Sequence, residues 1–160
     1  MKKIIALFCF IVLATSFASA KVRPAEELKF EKIGIGIVLG DPLGVSAKLW
    51  LNKETAFAGV LSVSTDRTFY LHADYLTHNY VFLKELAKDL KESELVLYYG
   101  GGAYLAFWNN GPFGLGARLP VGVEYLANPF DVFVELAPVF SLTPSMGLGL
   151  QGGIGVRFNF

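Results

Sequence analysis

The sequence predicts an all-β protein: an antiparallel up-and-down, eight-stranded transmembrane β-barrel, with one short amphipathic helix near residues 83–93. Three observations predict it. Apolar residues recur at every second position in segment after segment, the period of a strand with two unlike faces. Turn-forming residues fall between those segments. The chain is also oily, with 53% hydrophobic residues and a mean hydropathy of +0.46. Yet beyond residue 20 it has no unbroken apolar run of the roughly 20 residues that a membrane-crossing helix needs.

The alternation runs the length of the chain. In EKIGIGIVLG, Ile33, Ile35, Ile37 and Leu39 oppose Gly34, Gly36, Val38 and Gly40. In GVSAKLWL, Val45, Ala47, Leu49 and Leu51 oppose Ser46, Lys48 and Trp50. In TFYLHADYLTHNY, Phe69, Leu71, Ala73 and Tyr75 oppose Tyr70, His72, Asp74 and Leu76. The same holds in FGLGARLPVGVEY, FDVFVELAPVF and the final GLGLQGGIGVRFNF. Eight strands follow, at about 33–40, 44–51, 55–64, 68–81, 94–107, 113–126, 130–141 and 147–159. Asp41-Pro42-Leu43-Gly44, Asn52-Lys53-Glu54, Thr65-Asp66-Arg67, Asn109-Asn110-Gly111-Pro112, Ala127-Asn128-Pro129 and Thr143-Pro144-Ser145 supply the turns. The connections are short, so neighbours in sequence are expected to be neighbours in an antiparallel meander. The exception is LKELAKDLKES at 83–93, whose Leu83, Leu86, Ala87 and Leu90 share one side at helical spacing.

The first 20 residues are expected to be a secretory signal peptide. Lys2 and Lys3 precede an apolar run that ends in Ala18-Ser19-Ala20, an A-x-A-like cleavage site. Cleavage after Ala20 leaves a lead-in segment at 21–32 and a barrel domain at 33–160. It also removes Cys9, so the exported product is neither a disulfide scaffold nor a thiol enzyme. The 14 basic residues less Lys2 and Lys3 leave 12, against 14 acidic ones. A near-neutral exported chain with no basic patch has no nucleic-acid partner.

One face of each strand carries the charges and glycines, and the other carries almost no charge. A soluble barrel turns charge outward. A barrel in an outer membrane turns it inward and shows lipid an apolar exterior. The mixed signs favour the second arrangement. Lys48, Arg118 and Arg157 share a face with Asp74, Glu124, Asp131 and Glu135, with His72 and Gln151 beside them. Buried charges persist when paired, and an eight-stranded lumen is narrow enough for side chains to fill. Glycines on that face would make room for Trp50, Tyr98 and Tyr104. Aromatics near strand ends form two expected interfacial girdles: Phe69, Phe107, Trp108 and Phe113 at one rim, and Tyr80, Phe82, Tyr125, Phe130 and Phe158 at the other.

On these residues the chain resembles a small OmpA/OmpX-type bacterial outer-membrane barrel. The opening hairpin, with a G-[DE]-P-x-G turn at Gly40 to Gly44 and an S-A-K-x-W run at Ser46 to Trp50, is similar to that of small uncharacterised families of Gram-negative barrels. The resemblance implies an outer-membrane address, outer-membrane lipid as surroundings, and a monomer. It implies both chain ends in the periplasm, with the 83–93 helix on that side. It also implies that the barrel-assembly machinery reads the last strand at Gly152, Ile154, Val156, Phe158 and Phe160 during biogenesis. The turns assigned to the outside are shorter than the family's usual loops.

No catalytic role, cofactor or metal is expected. The expected function is structural or interacting, with a side-chain-filled polar lumen. A lipid A deacylase- or palmitoyltransferase-like activity needs a serine beside a histidine base. The histidines are His72 and His78, and the residue two positions on is Asp74 or Tyr80 rather than serine. His72 and Asp74 share a face, as i and i+2 must in a strand, and fit a lumen hydrogen-bond pair. A soluble, periplasmic, lipocalin-like ligand-binding barrel would need every face reversed. A small pore stands against a lumen that side chains fill.

Overall fold

The computed structural model describes residues 33–63, 69–81, 95–109 and 111–160. The expected signal peptide, lead-in, 83–93 helix, Thr65-Asp66-Arg67 turn, Asn110 and Phe82 lie outside the described residues. Nine strands form one antiparallel sheet: β1 (Ile33–Asp41), β2 (Gly44–Trp50), β3 (Thr55–Ser62), β4 (Phe69–Asn79), β5 (Leu95–Phe107), β6 (Gly114–Arg118), β7 (Val121–Ala127), β8 (Phe130–Thr143) and β9 (Gly147–Asn159). From β1 to β5 each strand pairs with the next in sequence, as β8 does with β9, and β9 pairs back onto β1, from Gly34↔Asn159 to Asp41↔Gly152. The sheet therefore closes on itself through the β1–β9 seam.

Nine strands occupy eight places in that ring. β6 and β7 both run between β5 and β8, where a single strand at 113–126 was expected. Leu119 and Pro120 divide it. Pro120 has no N–H to give to a ladder, but its carbonyl still accepts from the Gly100 N–H at 2.9 Å, and the Leu119 N–H reaches the Pro138 carbonyl at 3.0 Å. The inward–outward alternation passes through the break unchanged: Gly116, Arg118, Pro120, Gly122 and Glu124 are all buried. The meander prediction is met with this one interruption.

Ile33, Ile35, Ile37, Leu39, Val45, Leu49, Phe57, Leu61, Val132, Val134, Leu136, Ile154 and Val156 all stand exposed on the outer surface, while Lys48, Asp74, Arg118, Glu124, Asp131 and Arg157 are buried inside. The barrel is inverted relative to a soluble one. At the end that carries Ile33 and Phe160, the β2–β3 and β7–β8 turns are tight. Asn52 Oδ1 accepts from the N–H groups of Glu54 at 2.8 Å and Thr55 at 2.9 Å, an Asx turn of the kind that its sequence position predicts. The Phe160 N–H donates to the Ile33 carbonyl at 2.8 Å and extends the β1–β9 seam.

The seam also explains one glycine. Gly36 pairs with Ser46 on β2 and Arg157 on β9. A Cβ at Gly36 would overlap the Val156 carbonyl and lie 2.6 Å from the Arg157 Cα. Both obstacles are backbone and cannot rotate away. Gly36→Val should therefore cost about 1–3 kcal/mol or more through overpacking. It should lower the fraction of refolded protein whose gel mobility shifts on boiling. A wild-type folded fraction would mean that the seam closes without this close approach.

Candidate functional site: the charged lumen

All nine residues expected to line the lumen point inward, and they form two ion clusters along the barrel axis. The first lies toward the end that carries Ile33 and Phe160. Lys48 on β2 pairs with Glu124 on β7, both side chains wholly buried. Arg157 on β9 donates through Nη1 to the other Glu124 oxygen at 2.9 Å and through Nε to Ser46 Oγ at 2.9 Å. Asp131 stands 3.8 Å from the same Nη1. Aromatic faces complete the cation sites: Lys48 Nζ lies 3.9 Å from the Trp50 ring centroid, and the Arg157 guanidinium 3.8 Å from that of Phe133.

His78 belongs to this cluster. Its Nδ1 lies 3.1 Å from the Glu54 carbonyl, which can only accept, so that nitrogen carries the hydrogen. Its Nε2 is then free to accept from Lys48 Nζ at 2.9 Å. His78 was not among the expected lumen residues. Its parity with His72, Asp74 and Leu76 along β4 is the signal that finds it.

The second cluster is built on Arg118. Its Nε lies 3.0 Å from Asp74 Oδ2, and its Nη2 pairs with Glu135. Its Nη1 donates to His72 Nδ1 at 2.6 Å and to Gln151 Oε1 at 3.2 Å. Tyr70 donates to Gln151 Oε1 at 2.8 Å, and Tyr98 to Glu135 Oε2 at 2.9 Å. His72 faces Asp74 at 3.6 Å, as the i, i+2 spacing predicts. Three cations thus meet four carboxylates, and each cation touches at least one of them.

Glycines position these pairs. Asp74 on β4 sits opposite Gly102 on β5, and Gly102 opposite Arg118 on β6. A Cβ on Gly102 would run into the Asp74 carboxylate and lie 2.7 Å from its Cα. The missing side chain lets Arg118 reach across β5 to Asp74. Gly36 does the same between Arg157 and Ser46. Gly116 makes room for the Tyr104 ring, and Gly122 for that of Tyr98.

The expected girdles divide. Phe69–Phe107 and Phe107–Phe113 pack at ring-centroid distances of 6.0 and 6.4 Å around one rim. Phe130–Phe158 and Phe158–Phe160 pack at 5.3 and 5.0 Å around the other, with Tyr125 exposed nearby. Two placements are corrected. Trp108 does not stand in the outer girdle. It shares the inward parity of Tyr104 and Ala106 and packs on the Tyr70, Tyr104, Ala106 and Val139 cluster inside the mouth. Tyr80 is buried, and its hydroxyl donates to the Lys53 carbonyl at 2.7 Å. On β9, Ile154, Val156, Phe158 and Phe160 stand on the exposed face, and Gly152 has their parity.

Fold and lumen together define the class: a closed antiparallel β-barrel of eight places, apolar outside and ion-paired inside. The chain is similar in structure to the N-terminal β-barrel domain of Pseudomonas aeruginosa OprF, with 15% sequence identity and a TM-score of 0.48 over 80% of this chain and 95% of that one. No protein-family model and no curated protein matches the chain.

Removing one member of a buried ion network strands its partners and costs about 3–5 kcal/mol. Arg157→Leu, which takes the guanidinium from Glu124, Asp131 and Ser46, should lower the urea midpoint of the refolded barrel by a corresponding amount. An unchanged midpoint would show that the first cluster does not hold the lumen together.

Proposed function

We propose that this chain is an integral outer-membrane β-barrel protein whose closed, ion-paired lumen serves a structural or interaction role without catalysis. One observation carries the reading: the polarity is inverted, with oily residues on the outer face of every strand and the charged network inside. The outward row of β8 runs from Phe130 to Leu142. Twelve residue steps at about 3.3 Å each, tilted by about 40°, span ~30 Å. That covers an apolar band of about 25 Å. The aromatic clusters sit at its two limits, where amphipathic rings favour the interface. A soluble, lipocalin-like barrel would have to expose this belt to water.

The engagement of the two histidines supports a role without catalysis. Ser46 is held by Arg157, His78 by Lys48 and the Glu54 carbonyl, and His72 by Arg118. A serine nucleophile needs a histidine within hydrogen-bond reach, and these contacts commit both rings to the ion network. Outer-membrane lipid is then the immediate partner of the barrel, and the assembly machinery its partner during insertion, reading the outward row of β9.

Cell fractionation followed by electrophoresis of boiled and unboiled samples tests the location. The expected result is an outer-membrane protein whose mobility shifts on boiling; a soluble periplasmic protein without a shift would overturn the reading. Leu136→Arg probes the facing. Leu136 lies midway along β8 on the outer surface, and an arginine at the bilayer midplane costs about 2–4 kcal/mol. Insertion into vesicles should fall accordingly, and undiminished insertion would place Leu136 away from lipid.

A further inference from the structure

The lumen network ends toward the second mouth in a side chain with donors to offer. Gln151 on β9 is 7% exposed and borders a cavity of about 270 Å³ in the mouth opposite Ile33 and Phe160. Its Oε1 accepts from Arg118 Nη1 at 3.2 Å and from the Tyr70 hydroxyl at 2.8 Å. A guanidinium can only donate, so the amide has one orientation and Nε2 is its other branch. Arg118 does not border the cavity and Gln151 does, so the nitrogen is the end turned to the mouth. Among the described residues nothing accepts from its two N–H groups.

The lining around this amide is largely uncharged and aromatic. The Tyr104 and Ser141 hydroxyls lie 2.6 Å apart. Whichever of them donates, the hydrogen of the other is left to give. Thr143 is already committed: its Oγ1 accepts from the Leu115 N–H at 3.1 Å and donates to the Phe113 carbonyl at 3.2 Å. The Tyr104 ring stacks on that of Tyr70, with centroids 5.7 Å apart, and Trp108 packs on the same cluster. No Lys, Arg or His is among the described lining residues. Asp41 also borders the cavity and has an interaction of its own.

These features select a ligand by exclusion. An anion would be buried with no cation beside it, since the Arg118 guanidinium behind Gln151 is paired with Asp74 and Glu135. A cation would face the Gln151 N–H groups. A hydrocarbon would leave those donors stranded. An uncharged ring rich in oxygen acceptors meets the amide and the hydroxyls, and its C–H face packs on an aromatic ring. We infer that the mouth cavity is a binding site for one neutral pyranose sugar unit, held by the Gln151 amide and the Tyr104–Ser141 hydroxyls and packed on Trp108. The cavity is small, below the roughly 300 Å³ at which sites for drug-sized ligands begin. The site goes beyond the role proposed above and needs the closed barrel, not its lipid surroundings.

Saturation-transfer NMR of the full exported barrel tests it, in a polyoxyethylene detergent that brings no sugar of its own. The probes are the methyl glycosides of glucose, galactose, mannose and N-acetylglucosamine, with glucosamine and glucose 6-phosphate as charged counterparts. At least one neutral glycoside should receive saturation on its ring C–H groups, and both charged sugars should bind about tenfold more weakly. Gln151→Glu keeps an acceptor for Tyr70 and Arg118 but removes the N–H donors, and should weaken the neutral sugar about tenfold. Trp108→Leu keeps an apolar side chain without the ring and should weaken it too. No signal from any neutral glycoside, or equal signals from neutral and charged sugars, overturns the site, as does undiminished binding by a folded Gln151→Glu. If Gln151→Glu fails to fold, Trp108→Leu decides: unchanged binding refutes the assignment. Competition by the octyl glycoside of the bound sugar separates the sources. Displacement at a far lower concentration than the methyl form assigns a membrane-borne glycolipid, and displacement at the same concentration a soluble saccharide. The boiling shift is read on the same samples, so a barrel that shifts but binds no sugar refutes the site alone, whereas one that never shifts refutes the membrane reading.

Discussion

Everything in this molecule depends on the width of its interior. Eight strand places closed in a ring leave a lumen that only side chains can fill. With an apolar face turned outward, what fills it is charged. Burying ions is unfavourable unless each finds a partner, so the interior is organised around which cation can reach which carboxylate. Arg118 and Arg157 are the two hubs, and each reaches its partners because a glycine on the strand between them has no side chain in the way.

The same requirement sets the seam. β9 carries Arg157 and β1 carries Gly36, and the two strands must approach closely enough for the guanidinium to cross β1 and reach Ser46 on β2. Closure and lumen packing are one event here. A residue with a side chain at Gly36 would obstruct both. The break at Leu119 and Pro120 is tolerated for a related reason: the flanking carbonyl and N–H still find partners on β5 and β8, and the parity that brings Arg118 and Glu124 inside is kept.

The middle of the lumen is committed to its own ion pairs. The two mouths differ. At the end that holds Ile33 and Phe160, the Tyr80 hydroxyl and the Asn52 side chain fasten the β2–β3 turn. At the other end the β8–β9 hairpin stands above the β1–β2 turn, and Trp108 turns inward to line the space this leaves. The asymmetry follows from strand length, because β8 and β9 run 14 and 13 residues while β1 and β2 run nine and seven.

Period-two alternation determined the strands, the inward set and the polarity of the faces, because a strand sends successive side chains to opposite sides whatever it pairs with. Every charged lumen residue was legible by that parity. So was His78, and so was the inward course of Trp108, once parity along its strand is weighed above closeness to the aromatic rim. The division of β6 from β7 is marked by Pro120 but hidden by an unbroken alternation. Tertiary structure alone decided the pairings. Lys48 and Glu124 are 76 residues apart, and Arg157 and Ser46 are 111 apart. Only ring closure and register bring them within reach. The difference in height between the β8–β9 hairpin and the β1–β2 turn is likewise invisible in the chain, because height in a barrel is set by how each strand is staggered against the next.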